Sequence, residues 1–226
     1  MKYLKIIIPI SILSLIFIID YYNKYYKPNT SFEAERIFLY VMKDDSIAFR
    51  DSISKYIKSE KTFYKVAEKL KYLENKKTGR FKIKRGIGNN DIVNSLKFNN
   101  TPVNVTFNNQ ERVEDLAGRL SNQIYEDSIS LLSAFTNQDF LEKNNLNEKN
   151  VLSIFIPNSY NIYWNTTSEN FRDRMLSEYN KFWNKDRLDK AEELGLTKLE
   201  VISLASIVQL ESRKVDERPR VAGLYV

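Results

Sequence analysis

The chain contains neither histidine nor cysteine, which removes most of the side chains on which enzymes build active sites. A Ser-His-Asp triad, a thiol nucleophile, a His-ligated zinc site, a cysteine metal cluster and a disulfide framework are all excluded. Chemistry must come from Asp, Glu, Lys, Tyr or Ser, and a carboxylate is the natural candidate. The segment that best presents one runs from Thr197-Lys198-Leu199-Glu200 to Ser212. Thr197 and Glu200 have capping-box spacing and open a predicted helix. Apolar side chains cover most of the circumference of that helix, so it is expected to be largely buried. Glu211 stands one turn beyond Ile207 and two beyond Leu204, on their side. A carboxylate beside that ridge is partly desolvated, which favours its protonated form; the negative end of the helix dipole pushes the same way. A carboxyl so placed suits general acid catalysis. The alternative is a solvated helix end at which Glu211 pairs with Arg213 or Lys214, and spacing alone favours this second reading.

The elements around that helix are expected to form an α+β fold. Arg36 to Val41 reads as a strand ending in the turn signal Lys43-Asp44-Asp45. Asp45 caps a predicted helix carrying Ile47, Ile53 and Ile57; Thr62 opens a second with Val66, Leu70 and Leu73. From Gly79, the alternation Arg80-Phe81-Lys82-Ile83-Lys84 reads as a half-buried strand. The result is β-α-α-β. A helix around Asn90 to Phe98 and a strand from Pro102 to Phe107 follow. Asn108 and Glu111 have the spacing of another capping box, opening a helix with Val113, Leu116, Ala117, Leu120 and Ile124 on one face. Residues 136–150 read as loop or frayed helix end, and Val151 to Ile156 as a strand stopped by Pro157. Phe171, Met175, Tyr179 and Phe182 form the core stripe of a helix beginning at Ser168, and Gly195 is a helix stop.

The N-terminus is different in kind. From Ile6 to Ile19 the run is aliphatic apart from Pro9, Ser11, Ser14 and Phe17. Counted from Tyr3, it makes roughly 25 Å of helix at ~1.5 Å per residue, near the lower limit for a bilayer span. Lys5 can snorkel to the headgroups, and Tyr21, Tyr22, Tyr25 and Tyr26 stand where an aromatic belt belongs. No small-x-small cleavage site follows, so a single-span anchor is favoured over a signal peptide or a core helix. Lysines flank both ends, so charge bias does not set the orientation. Pro28-Asn29-Thr30-Ser31 reads as a short linker.

With 35 Lys and Arg against 29 Asp and Glu, the net charge is +6. The excess is spread along the chain and no nucleic-acid motif is present, so nucleic acid is not expected as a partner. A diffuse positive balance suits a protein beside acidic wall polymers or anionic lipids.

Two stretches carry a resemblance. Leu204-Ala205-Ser206-Ile207-Val208-Gln209-Leu210-Glu211-Ser212, followed by Asp216-Glu217-Arg218-Pro219 and Val221-Ala222-Gly223-Leu224-Tyr225, resembles the signature of the endolytic murein transglycosylases, the YceG-like family. Phe155-Ile156-Pro157-Asn158-Ser159-Tyr160 with Tyr163-Trp164-Asn165 is similar to that family's Phe-x-Pro strand end. The resemblance implies a membrane anchor over 1–27, a small LysM-like module over 28–100 and a lytic transglycosylase domain over 101–226. It implies cleavage of peptidoglycan between N-acetylmuramic acid and N-acetylglucosamine, leaving 1,6-anhydro ends and limiting nascent strand length, with no cofactor and no metal. It places the catalytic domain on the periplasmic side of the inner membrane and makes glycan strands the substrate and peptidoglycan synthases candidate partners. Gln209 stands where the family has the first Glu of Glu-x-Glu, and an amide cannot act as the acid. Glu211 is therefore the expected catalytic residue, with Glu217 the runner-up and more simply a cap of the next helix. The family pattern continues beyond the equivalent of Tyr225, so a C-terminally truncated, incomplete domain of low activity is expected. A non-catalytic, membrane-anchored peptidoglycan-binding protein is the alternative.

Overall fold

The structure, a computed structural model, describes residues 4–42 and 46–226, with side chains from Ile7 onward in the first helix. Tyr3, the side chain of Lys5, and the Lys43-Asp44-Asp45 turn with the cap expected of Asp45 lie outside the described residues. The architecture is α+β, with small two-stranded sheets. The chain divides into two compact units, Met1–Val103 with Tyr163–Asn165, and Asn104–Ile162 with Thr166–Val226.

The first unit begins with α1 (Leu4–Tyr25). It holds a stretch, Ile7–Tyr25, long and apolar enough to cross a membrane and unburied by the rest of the chain. Its serines are satisfied internally: Ser11 Oγ donates to Ile7 O at 2.9 Å and Ser14 Oγ to Ser11 O at 2.8 Å. Such back-bonding removes the cost of a hydroxyl in an apolar medium. The helix continues past Ile19, where the apolar run ends, through an Asp20–Lys24 ion pair to Tyr25, which packs partly buried against the core of the unit.

Pro28 to Ser31 is a joint, not the expected linker. Asn29 and Thr30 are buried. Asn29 accepts from Ser59 N at 2.8 Å and donates to Asn89 Oδ1 at 2.6 Å, and Asn89 in turn donates to Lys24 O at 2.8 Å. Two polar side chains thus satisfy each other and the backbone at Ser59 and at Lys24 at once, which is why these residues sit in the interior. At Gly88 the backbone of Tyr25 and Tyr26 comes so near that a Cβ would lie 2.6 Å from Tyr25 O.

β1 (Arg36–Val41), α2 (Ser46–Ser54), α3 (Glu60–Lys69) and β2 (Gly79–Lys84) give the expected β-α-α-β order, and the two strands pair antiparallel with Leu39 opposite Phe81. Alternation along β2 places Phe81 and Ile83 inside and Arg80 and Lys82 at the margin. Phe63, Val66 and Tyr72 fill the core from α3 and the turn after it, and α4 (Asn89–Phe98) closes it with Ile92 and Leu96. Two expectations shift. Ser59 rather than Thr62 caps α3, accepting from Thr62 N at 3.4 Å. Ile47 is exposed, because the face of α2 that meets β1 is the one carrying Phe49 and Ile53.

The second unit holds most of β3 (Pro102–Phe107) and β4 (Asn158–Tyr163), which pair; Thr106 and Ser159 share a hydroxyl hydrogen bond of 2.7 Å. Around them lie α5 (Val113–Ser121), α6 (Ser128–Phe135), α7 (Gln138–Lys143), α8 (Ser168–Phe182), α9 (Lys185–Glu193), α10 (Lys198–Glu211) and α11 (Arg218–Ala222). Leu116, Leu120, Leu131, Phe135 and Phe171 make its core. The strand expected over Val151–Ile156 is instead a single 3-10 turn, Val151–Ile154, with β4 starting only after Pro157. Val151 and Ile154 fall three residues apart and are both buried, so the turn satisfies the apolar pattern that was read as a strand. α7 occupies part of the stretch read as loop or frayed helix end, started by Asn137, which accepts from Phe140 N at 3.0 Å. No Asn108–Glu111 box forms; α5 starts at Val113 after Arg112.

Candidate functional site

α9 ends in a Schellman motif: Gly195 has φ +67, Leu196 N bonds Ala191 O and Gly195 N bonds Glu192 O, both at 2.9 Å. Two residues later the capping box read from Thr197 and Glu200 is present. Glu200 N donates to Thr197 Oγ1 at 3.3 Å and Thr197 N to Glu200 Oε2 at 2.8 Å. The Thr197 amide first, and then the Thr197 hydroxyl, which also donates to Glu200 Oε2 at 2.7 Å, hold the Glu200 carboxyl below its usual range.

The helix they start is not buried as expected. Val208 is its one fully buried side chain, whereas Ile207 is 41% and Leu210 is 77% exposed. At about 100° per residue, Val201, Leu204 and Val208 share the side that meets the unit, and the other apolar residues are spread round the circumference, several of them lining a groove and Leu210 pointing to solvent. Glu211 is exposed too, so the desolvation anticipated for it is absent from this structure. Among the described residues nothing pairs with its carboxylate.

Glu217 is the opposite case. Buried Ser212 donates through Oγ to Glu217 Oε2 at 2.9 Å, and Lys214 Nζ lies 3.1 Å from Glu217 Oε1. Glu217 occupies the N-cap position of α11 but makes no side-chain cap bond, correcting the capping role expected of it: its carboxylate turns back to Ser212 and Lys214 instead. Lys214, one of the partners considered for Glu211, is thereby taken up by Glu217.

A groove of about 550 Å³ runs along the other side of α10. Ile202, Ser206 and Gln209 face it from the helix, and Phe155, Ile156 and Pro157 from the segment before β4. Gln209 meets Asn109 through a side-chain hydrogen bond. Tyr160 braces this wall: its hydroxyl donates to Ile156 O at 2.5 Å and its ring stacks on Phe107 at 5.6 Å. Burial pushes its phenol above the ordinary range, Glu178 adds to this and Arg174 opposes it. Two residues along a helix are about 200° around it, so Gln209 faces the groove and Glu211 does not. The structure brings the Leu204–Ser212 and Phe155–Tyr160 motifs together across this groove and leaves Glu211 outside its lining. Among the described residues no group of three or more acidic side chains is placed to hold a metal ion.

The model of the YceG-like family matches residues 45–226, which includes all of the second unit. The chain belongs to the YceG-like family. A solved structure from Listeria monocytogenes, described as yceG-like, is similar at TM-score 0.49 and 14% identity, covering 81% of this chain and 67% of that one. No curated protein matches the chain. The two stretches that carry the resemblance fall on α10, on the turn after it and on the wall facing it. What sequence reasoning missed is Ser212 as the buried partner of Glu217; a serine at a helix end with a Glu five residues on is too common a pattern to signal it.

Proposed function

We propose that the protein is a membrane-anchored lytic transglycosylase that cleaves peptidoglycan strands endolytically between N-acetylmuramic acid and N-acetylglucosamine. In this reading α1 spans the inner membrane, residues 28–100 are a LysM-like glycan-binding module and residues 101–226 the catalytic domain, both on the periplasmic side. The observation that carries it is the family match across the second unit, with Glu211 as a carboxylate at the end of α10 that makes no bond among the described residues.

Ordinary glycosidases set two carboxylates at a fixed separation. A lytic transglycosylase needs one, because the substrate supplies the nucleophile. Glu211 in its acid form gives its proton to the glycosidic oxygen as the C–O bond breaks. As carboxylate it then takes the proton of the muramic acid 6-hydroxyl, whose oxygen closes on the anomeric carbon to form the 1,6-anhydro ring. Atoms balance without water. Because Glu211 is open to solvent in the free chain, the bound glycan itself must exclude water around it for the acid step.

The exposure of Glu211 and its position away from the groove favour one competing reading, a non-catalytic wall-binding protein. Digestion of purified sacculi by the detergent-solubilised full chain decides between them. Release of anhydro-muropeptides that falls ~10²–10⁴-fold in Glu211→Gln, the scale of general acid–base catalysis, is the expected result, with Glu217→Gln losing far less. Binding without release supports the rival, and retention of more than about a tenth of activity in Glu211→Gln moves the role to Glu217.

A further inference from the structure

α3 runs back along the last turns of α1. Its start is tied to the far end of α1 through Asn29, which bonds Ser59 N and Ser59 O. Its other end reaches down α1, where Lys65 and Lys69 share a cleft with Phe17, Asp20 and Tyr21. The 10-residue α3 is about 15 Å long, so it ends level with the point where the apolar run of α1 gives way to Asp20. Phe17, the last aromatic of that run, is 70% exposed.

Lys65 and Lys69 stand four residues apart and therefore on one face of α3. Lys71 follows in the turn, held in the left-handed region at φ 53. All three are exposed, and among the described residues none makes an ion pair. The neighbouring acids do not cancel them: Asp20 is paired with Lys24, and Glu68 and Glu74 are outnumbered by Lys65, Lys69, Lys71, Lys76 and Lys77. Nor can the lysines swing away from α1. The Asn89 bond to Lys24 O and the close approach at Gly88 fix the helix to the unit, and Tyr25 is packed on its core.

We infer that the end of α3, through Lys65, Lys69 and Lys71, is a docking surface for the anionic phospholipid headgroups of the bilayer that α1 crosses. The inference rests on the reading of α1 as a membrane span and is independent of any catalytic role. Lysines held at headgroup level attract anionic lipid within a Debye length of the surface, and because α1 is continuous with the unit they would set how the unit leans on the membrane.

The full chain is reconstituted into phosphatidylcholine vesicles containing about a third phosphatidylglycerol, and spin-labelled lipids report the preference of the protein for phosphatidylglycerol over phosphatidylcholine. The preference is expected to fall about fivefold or more in Lys65→Gln/Lys69→Gln/Lys71→Gln, at least the scale of one surface lysine, and to hold in Lys181→Gln/Lys185→Gln/Lys190→Gln in the second unit. An inserted protein without that preference, or an equal loss in both triple variants, overturns the docking surface alone. Extraction of the wild-type chain by alkaline carbonate overturns the membrane span as well.

Discussion

The first unit and the α10–α11 end of the second are built from similar residues and treat them in opposite ways. In the first unit, apolar side chains fall at helical and strand spacings that converge, and Phe63, Val66, Phe81, Ile83, Ile92 and Leu96 are each no more than 1% exposed. In α10 the apolar residues are as numerous, but they are spread round the helix, and one line of them meets the unit while Ile207 and Leu210 do not. Burial is set by convergence on a shared partner surface, not by apolar content. The polar groups follow the same division. Asn29 and Asn89 are spent on locking the first unit together, whereas Glu211, at the end of α10, has no partner among the described residues.

The comparison breaks most readily at Phe63. Its ring is fully buried, 5.3 Å from that of Tyr64 and 6.5 Å from that of Phe49. Phe63→Ala removes a large side chain from a closed core and is expected to cost ~3–5 kcal/mol. Trp164 lies in the first unit, 4.9 Å from Tyr40, and Trp183 in the second. Urea unfolding followed by Trp164 emission in a Trp183→Phe background therefore reads the first unit. A loss below about 1 kcal/mol, the level of a surface site, would show the core to be loosely packed and the contrast to be overstated.

The parts of the fold that were legible in the sequence are those where one local rule acts alone. Strand reading located Arg36–Val41 and Pro102–Phe107, period-two alternation located Gly79–Lys84, and cap chemistry located Thr197 and the Gly195 stop. Errors arose where two rules compete. Val151 and Ile154 fit a buried 3-10 turn as well as a strand, and Pro157 was compatible with both. Pro28 to Ser31 has linker composition, and its interior position depends on Asn89, 60 residues away from Asn29 in sequence. At the candidate site, the identity and helix position of Glu211 were legible. Its exposure was not, since a nearly all-apolar helix is buried only if neighbours cover every side. The exchange by which Glu217, not Glu211, takes Lys214 depends on the bend at Ser212, which no spacing rule encodes.

A smaller effect sharpens the account of how α10 persists with so little burial. Deprived of a core, the helix depends on its start. Thr197→Ala removes the acceptor for Glu200 N and the donor to the Glu200 carboxylate. Loss of such a cap typically costs ~1 kcal/mol, so amide exchange over 198–202 should quicken about fivefold. The Glu200 carboxyl is held below its usual range by the Thr197 amide and hydroxyl. A depressed folded value means its contribution is present above the unfolded value and is lost as pH falls through the folded one. The difference between wild type and Thr197→Ala should therefore narrow in acid to the part due to the Glu200 N bond to Thr197 Oγ1, which does not titrate. A difference that does not narrow there would show that the Glu200 carboxylate contributes nothing.

The smallest expected effect is the most direct test of the contrast. Leu210 is 77% exposed, near the C-terminal end of α10 and outside the lining of the groove. A surface substitution away from a packed contact usually changes stability by less than about 0.5 kcal/mol, and Leu and Gln have nearly equal helix propensities. Leu210→Gln should leave the unfolding of the second unit, read through Trp183 in a Trp164→Phe background, unchanged within that margin. Burial of a leucine is worth about 1.5–3 kcal/mol. A destabilisation of that size would mean that Leu210 is covered in solution, and the outward line of α10 would have to be redrawn as an interface. A null result would place the apolar side chains beside Glu211 in the class of exposed surface retained at no cost to the fold, next to a carboxylate that has no partner among the described residues.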